Sequence, residues 1–489
     1  MIKKTARKFF RPGKINREIK MKGKHTVEKI GGTSMSQFKD VMDNIIIGKR
    51  KGRELYNRIF VVSAYAGITD DLLEHKKTGV PGVYAKFAEG DTSWGNNLES
   101  LRRKMFEINA SFKSIGLDVR KADAFVNDRM DGIKSCLEDL INLRSYGHLK
   151  PSDFLPASRE MLSAAGEAHS AYNSALILKA NGVESLYVDL TGWKETAQHS
   201  FDNMIRKSFK GIDLESQVVI ATGYTKCDEG IMTRFDRGYS EITFSKITVI
   251  TGAREGIIHK EFHLSTGDPK LIGLEKVKTI GRTNFNIADQ LSDLGMEAIH
   301  SKASKEMEQC NIPIRVKNTF EPEHPGTLIS NDYISPEPKV EMVCGRKEVL
   351  AIEVHDPDMV GQSGYDYILL KFFADFNISY IAVNSDANTI THYVPEKTPK
   401  IRECIHAMKK GFPGAEISAK PVSIVSAIGS NMNIPGLLAR AAGALAHEGI
   451  NVLGMDQNIR QVNMQFIIER QHFETAQKAL HHELVEKHR

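Results

Sequence analysis

A chain of 489 residues is long enough for two to four domains with sizeable cores. Apolar residues at 41% and charged residues at 26% match a soluble globular protein and exclude disordered, collagen-like and disulfide-scaffold classes. The net charge of +5 suggests a nucleic-acid partner only until it is located: residues 1–24 hold ten Lys/Arg against Glu18, leaving 56 basic and 60 acidic groups elsewhere, a net of −4.

A disordered basic tail over 1–24 accounts for that charge, so no nucleic-acid partner is expected. The tail lacks the apolar stretch of a secretory signal. No apolar run approaches the ~20 residues a membrane span needs, so no membrane partner is expected either. Cys136, Cys227, Cys310, Cys344 and Cys404 form no CxxC pair, usage that fits a reducing, cytoplasmic setting. His259 and His263 have the i, i+4 spacing of a metal-binding helix, but Lys260 stands where a metalloprotease needs glutamate. They read as exposed loop histidines, and no metal site is expected.

Residues 25–30 predict a short strand, broken by Gly31-Gly32-Thr33-Ser34. Phe38, Val41, Met42, Ile45 and Ile46 then recur as one apolar helical stripe, and 59–63 predicts a buried strand. Strand, glycine turn, helix, strand is a βαβ unit, which implies a mostly parallel sheet covered on both faces. Residues 81–150 read as a helical insertion. A helix over 158–181 closed by Gly182 follows, then strands near 183–190, 217–223 and 247–252, a helix near 286–296 and a strand at 313–317. The Pro-rich stretches at 320–326 and 336–338 end this domain at about 335. Beyond it the order repeats. Strand, helix, strand, strand over 349–394 is restated over 423–468, giving two α+β units at 340–412 and 413–489.

No GxxxxGK[ST] occurs, nor a GxGxxG between strand and helix, so neither a Walker-type ATPase nor an ordinary dinucleotide dehydrogenase is indicated. Four segments could carry chemistry. Lys29 to Ser34 offers backbone amides unshielded by Cβ atoms, a helix start and an ammonium, a combination suited to phosphate, although most such glycine turns are simply turns. The small-residue loop 63–69 leaves a buried strand at the carboxyl edge where open α/β sheets bind ligands, with Thr69 a hydroxyl donor or simply a helix cap. Glu167, beside Gly166 in an apolar helix, needs a cation or solvent. Arg237, with Ser240 and Glu241 at a helix start, presents a planar fork for a carboxylate or joins a surface ion-pair cluster.

Together these segments resemble the aspartate kinase family of the amino acid kinase fold. Lys29 to Ser34 is similar to its Lys-Phe-Gly-Gly-Thr-Ser signature, with Ile30 for Phe. Val62-Ser63-Ala64 with Gly67-Ile68-Thr69 resembles its second motif. Gly166-Glu167 resembles Ser-x-Gly-Glu, with Ala164 in the serine's place. Arg237 to Glu241 resembles Arg-Gly-Gly-Ser-Asp, and the doubled unit looks like tandem ACT domains.

The resemblance implies a three-layer αβα sandwich over 25–335 followed by two ACT domains, and ATP-dependent phosphorylation of the L-aspartate side chain with Mg²⁺. It implies Lys29, Gly31, Gly32, Thr33 and Ser34 on the phosphates, with Thr251, Asp268 and Lys270 as further nucleotide contacts. Thr69, Glu167, Arg237, Ser240 and Glu241 would hold the substrate, with Lys29 and Arg237 catalytic. A homodimer or higher oligomer through the ACT domains, with an amino-acid effector, is also implied. Two departures stand out. The family's Thr-Asp falls on Thr251-Gly252, and its Phe-Gly-Ala-Lys on Leu294-Gly295-Met296-Glu297. With Tyr239 and Glu241, they resemble the branch associated with ectoine synthesis. The rival expectations are a kinase for another acidic metabolite such as glutamate, and a catalytically weak ACT-containing amino-acid sensor.

Overall fold

The computed structural model describes residues 23–76, 78–235, 238–294 and 299–487. Nearly all of the expected tail, together with Arg237 and Glu297, lies outside them.

Eight strands form the N-terminal sheet: β1 (Thr26–Ile30), β2 (Arg58–Val62), β3 (Ser185–Val188), β4 (Val218–Thr222), β5 (Glu255–Lys260), β6 (Arg282–Asn284), β7 (Ile314–Asn318) and β8 (Thr327–Ser330). Their order is β3-β4-β2-β1-β5-β7-β8-β6, and every pair is parallel except β7 with β8. The central strands β2 and β4 are buried along their whole length, as strands covered on both faces must be.

Alternation along the strands sorts the polar residues onto two faces. On one face Glu28 takes both forks of Arg58, at 2.7 and 2.9 Å, and a 2.8 Å contact from His259 Nε2. The remaining Arg58 donors reach the carbonyls of Ile45 and Ile46 on the covering helical stretch, at 2.9 and 2.8 Å. Burial pushes the Glu28 carboxyl up, but Arg58 and His259 outweigh it and hold it well below the usual range. His259 is therefore a buried strand residue and no exposed loop histidine; His263 bonds Glu321 at 3.0 Å. Arg58→Ala leaves a buried uncompensated carboxylate, and we expect a loss of about 3–5 kcal/mol in urea unfolding at neutral pH. The contribution of Glu28 is present above the ordinary glutamate range and fades as pH falls through its depressed pKa, so the deficit of the variant shrinks in acid.

The opposite face carries Lys29 and is covered by the helix Tyr239–Thr251, whereas the helix Pro151–Ala180 lies on the Glu28 face, where its Tyr172 packs on Tyr187 and its Ala175 carbonyl accepts from Ser185 Oγ at 2.8 Å. Segment 81–150 forms the helices Val83–Glu89, Trp94–Ser111 and Val119–Ser145, and the last two pack on each other. The strand expected at 247–252 is instead the end of the Tyr239–Thr251 helix. Its run Ile-Thr-Val-Ile-Thr has β propensity, but Phe244, Ile247 and Thr248 bury against the sheet at helical spacing and override it. Gly252, at φ +69°, closes the helix in the left-handed region that glycine tolerates.

The C-terminal sheet contains β9 (Met342–His355), β10 (Ala382–Ser385), β11 (Thr389–Pro395), β12 (Glu416–Ile428), β13 (Val452–Gln457) and β14 (Asn463–Ile468) in the order β10-β11-β9-β12-β14-β13. Two long strands, β9 and β12, run antiparallel through its centre and serve both repeats. Residues 349–355 of β9 pair with β11 and with 416–422, whereas 342–346 pair only with 424–428. A division at 412/413 therefore does not follow the pairing. One βαββαβ unit spans 349–422. The other consists of 423–481 completed by the upstream 342–346, so the first unit is nested inside the second. The joints are the exposed Lys347-Glu348 in β9 and the irregularity between Val422 and Ile424. The two edge strands approach each other through Asn384, which donates to the Met455 carbonyl at 3.0 Å and accepts from Tyr393 at 2.8 Å. Met342, Cys344, Val349 and Ile424 share a core with Ile287, Leu291 and Leu294, tying this sheet to the N-terminal domain.

Candidate active site

The carboxyl ends of β1, β2, β4 and β5 meet at one edge. After β1 the chain turns at Gly31 and enters a helix at Gly32. A Cβ on Gly32 would lie 2.6 Å from the Ala64 carbonyl, so only glycine lets this turn and the loop after β2 come together. Gly166 plays the matching part on the long helix, where a Cβ would stand 2.8 Å from Ala64 Cβ and 3.0 Å from Ile68 Cγ2. Two glycines thus bring the first turn, the second loop and the glutamate-bearing helix into direct contact.

Glu167 is 2% exposed. Its Oε1 accepts a 2.6 Å bond from Ser240 Oγ, and its Oε2 has no hydrogen-bond partner among the described residues. Burial pushes the carboxyl up to about 8, against the pull of Ser240, Lys29 and the Tyr224 amide. An orphaned carboxylate oxygen at this depth is costly without a cation to meet it. On the next helix Glu241 lies 3.6 Å from Lys29 Nζ and accepts the His300 amide at 2.5 Å. Burial raises its pKa, but Lys29 and then Lys260 pull it down, and the net shift is downward. Ser34 Oγ donates to Glu261 Oε1 at 3.1 Å and contacts Thr319 at 3.2 Å, which fixes the start of the turn to the ends of β5 and β7.

The edge therefore offers two different chemistries side by side. Lys29, with the amides of the Gly31-Gly32 turn, suits an anion. Glu167 with Ser240 suits a small ammonium. Lys29 reaches the fields of both Glu167 and Glu241, so a group that bridges them would sit against its ammonium.

The amino acid kinase family model matches residues 24–318, and the ACT domain model matches 425–484. The chain is 50% identical over 464 residues to Aspartate kinase Ask_Ect of Stutzerimonas stutzeri (strain A1501), covering 94% of this chain and 98% of that one. It belongs to the aspartate kinases of the amino acid kinase family. Aspartokinase 1 of Arabidopsis thaliana is 22% identical, over 95% of this chain and 81% of its own. The fold is similar to that of E. coli aspartokinase III solved with aspartate and ADP, at TM-score 0.71 and 19% identity, covering 94% of this chain and all of that one.

Of the aspartate kinase residues expected from the sequence, the fold gathers Lys29, Gly31, Gly32, Ser34, Glu167, Ser240 and Glu241 at this edge. Thr33 is exposed in the first helical turn, and Thr69 is half-buried. Thr69 is no cap, because Gly67 holds that position at φ +80°. Arg237 lies outside the described residues. Asp268 and Lys270 lie in the 261–281 excursion that leaves β5 at the same edge. The Asp268 carboxylate caps the Lys270 amide at 2.9 Å, and the Lys270 ammonium sits 5.4 Å from the Phe262 ring.

Thr251 is a correction. It bonds His25 at 2.8 Å, and the neighbouring Gly252 carbonyl accepts from Gly23, so both lie at the amino end of β1, across the sheet from the site. Reading 247–252 as a strand put the nucleotide segment one element too early and hid the true strand end, His259-Lys260-Glu261. The signal was present in the sequence: a glycine closing an apolar helical run, followed by the new apolar run at 256–258. Glu160 was also missed. It anchors the 223–235 segment by accepting from Tyr224 Oη at 2.7 Å and from the Met232 amide at 2.8 Å.

Proposed function

We propose that this chain catalyses ATP-dependent phosphorylation of the side-chain carboxylate of L-aspartate, giving 4-phospho-L-aspartate and ADP. The observation that carries the reading is the orphaned Glu167 oxygen, buried within the field of Lys29: it fits the α-ammonium of an amino acid whose far carboxylate meets a phosphate at the Gly31-Gly32 turn. Ser240 holds Glu167 in place, and Arg237 is assigned the α-carboxylate. Thr69 orients the substrate from the opposite loop.

The attacking group is already an anion at neutral pH, so no general base is needed. One carboxylate oxygen attacks the terminal phosphorus of ATP, the bond to the bridging oxygen breaks, and ADP leaves with that electron pair. The work of the protein is positioning and charge neutralisation, supplied by Lys29 and the turn amides. Mg²⁺ bound with ATP would neutralise phosphate charge. Among the described residues no cluster of three or more His, Cys, Asp or Glu could hold a metal ion. Glu261 is the carboxylate that fits it, lying 3.9 Å from where a Cβ on Gly31 would stand.

The likeness to Ask_Ect supports the branch expected from Tyr239 and Glu241, the one linked to ectoine synthesis. The ACT units support pairing into a homodimer and binding of an amino-acid effector. Among the described residues no helix is long and apolar enough to cross a membrane. The five unpaired cysteines support a reducing compartment, and we place the enzyme in the cytoplasm. An ATP-consumption assay with aspartate and glutamate side by side tests the reading. Aspartate-dependent turnover is expected. Turnover with glutamate alone, or with neither, rejects it.

A further inference from the structure

β1 and β5 are parallel neighbours with Lys29 in register with Ile258. Side chains alternate along each strand, so Lys29, Ile258 and Lys260 all stand on the same face. Lys260 is the last residue of β5, one strand over from Lys29 and two residues beyond the register point. By strand spacing the two Cβ atoms are roughly 8 Å apart, near enough for two lysine side chains to converge. The backbone at Lys260 is fixed, because its carbonyl accepts the Thr319 amide at 2.8 Å.

Glu241 lies beside the first lysine and within the electrostatic reach of the second. Its carboxylate contacts Lys29 at 3.6 Å, is held from the far side by the His300 amide, and also feels the charge of Lys260. The carboxylate thus pairs with Lys29 at the mouth of the Gly31-Gly32 turn, with Lys260 on the same face of the neighbouring strand. The strand register thus sets two lysines on one face at this edge before any phosphate arrives.

We propose that Lys260 is a second phosphate-binding lysine, which acts with Lys29 on the terminal phosphate of ATP. This rests on the reading of the chain as an aspartate kinase. Two cations on either side of the transferring group would spread neutralisation over its equatorial oxygens, and Glu241 would keep both aimed there. The terminal phosphate is the group addressed, so the effect must distinguish ATP from ADP.

The test is Lys260→Met beside Lys260→Arg in the full-length chain. Each is assayed for turnover with aspartate and, by calorimetry, for binding of Mg-ATP and Mg-ADP without substrate. We expect Lys260→Met to lower kcat roughly 10²-fold. The KM for aspartate should stay within about twofold, and ATP binding should weaken at least tenfold while ADP binding is unchanged. Lys260→Arg should recover much of the loss. Wild-type kcat in Lys260→Met, or equal weakening of ATP and ADP together with a lowered melting temperature, overturns the inference and makes Lys260 a structural partner of Glu241. Absence of aspartate-dependent turnover in the wild-type chain would instead count against the function, and the ATP/ADP comparison would still decide the role of Lys260.

Discussion

Lys29→Ala is expected to lower kcat roughly 10²–10³-fold with the fold intact, because among the described residues this ammonium is the positive group in the field of both Glu167 and Glu241. Phosphoryl transfer between two anions needs charge neutralisation more than it needs proton movement, so its loss falls on kcat and on ATP affinity. A second consequence separates this role from a structural one. Lys29 is among the influences that restrain the raised pKa of Glu167. Without it the carboxyl should rise further, and the acid limb of kcat/KM for aspartate should move to higher pH. Steady-state kinetics from pH 6 to 9 on both proteins read both effects.

Glu167→Gln should raise the KM for aspartate roughly 10²-fold, with a smaller change in kcat, because a charged hydrogen bond to the ammonium is replaced by a neutral one. The pH dependence gives the sign. With its pKa pushed to about 8, Glu167 is mostly protonated in the free protein at neutral pH and must lose that proton to hold an ammonium. In the wild type, kcat/KM for aspartate should therefore climb with pH and level off above about 8, and in Glu167→Gln that limb should vanish. Stability runs the other way. A carboxyl whose folded pKa is raised lends stability that is full below the ordinary glutamate range and is lost as pH rises through about 8. Thermal unfolding at pH 9 should show Glu167→Gln more stable than wild type, with little difference at pH 5. A residue retained at a cost to the fold is what a binding role predicts.

Much of this site was legible in the sequence because its parts are local. Gly31-Gly32, Gly166-Glu167 and Ser240-Glu241 are short segments whose composition states a backbone or charge requirement. The long-range relations were not legible. Thr251 was misplaced because a β-branched run inside a buried helix reads as a strand, and with that strand misassigned the true end of β5 was invisible. Lys260 then looked like a spoiled metal motif between two histidines. Only the β1–β5 register shows that His259 points to one face, toward Glu28, and Lys260 to the other, toward Glu241. The nested repeat was hidden for a similar reason. The sequence shows two copies in succession, whereas the pairing of one 14-residue strand with both copies is a tertiary fact.

The most direct test of the account is to trap the product. The wild-type chain is incubated with Mg-ATP, L-aspartate and hydroxylamine, and the hydroxamate is identified by mass spectrometry and compared in amount with the ADP released. The account predicts the side-chain hydroxamate of aspartate in step with ADP, and none from glutamate. ADP release without hydroxamate, or a hydroxamate at the α-carboxyl, would contradict a substrate held by Glu167 with its far carboxylate against Lys29.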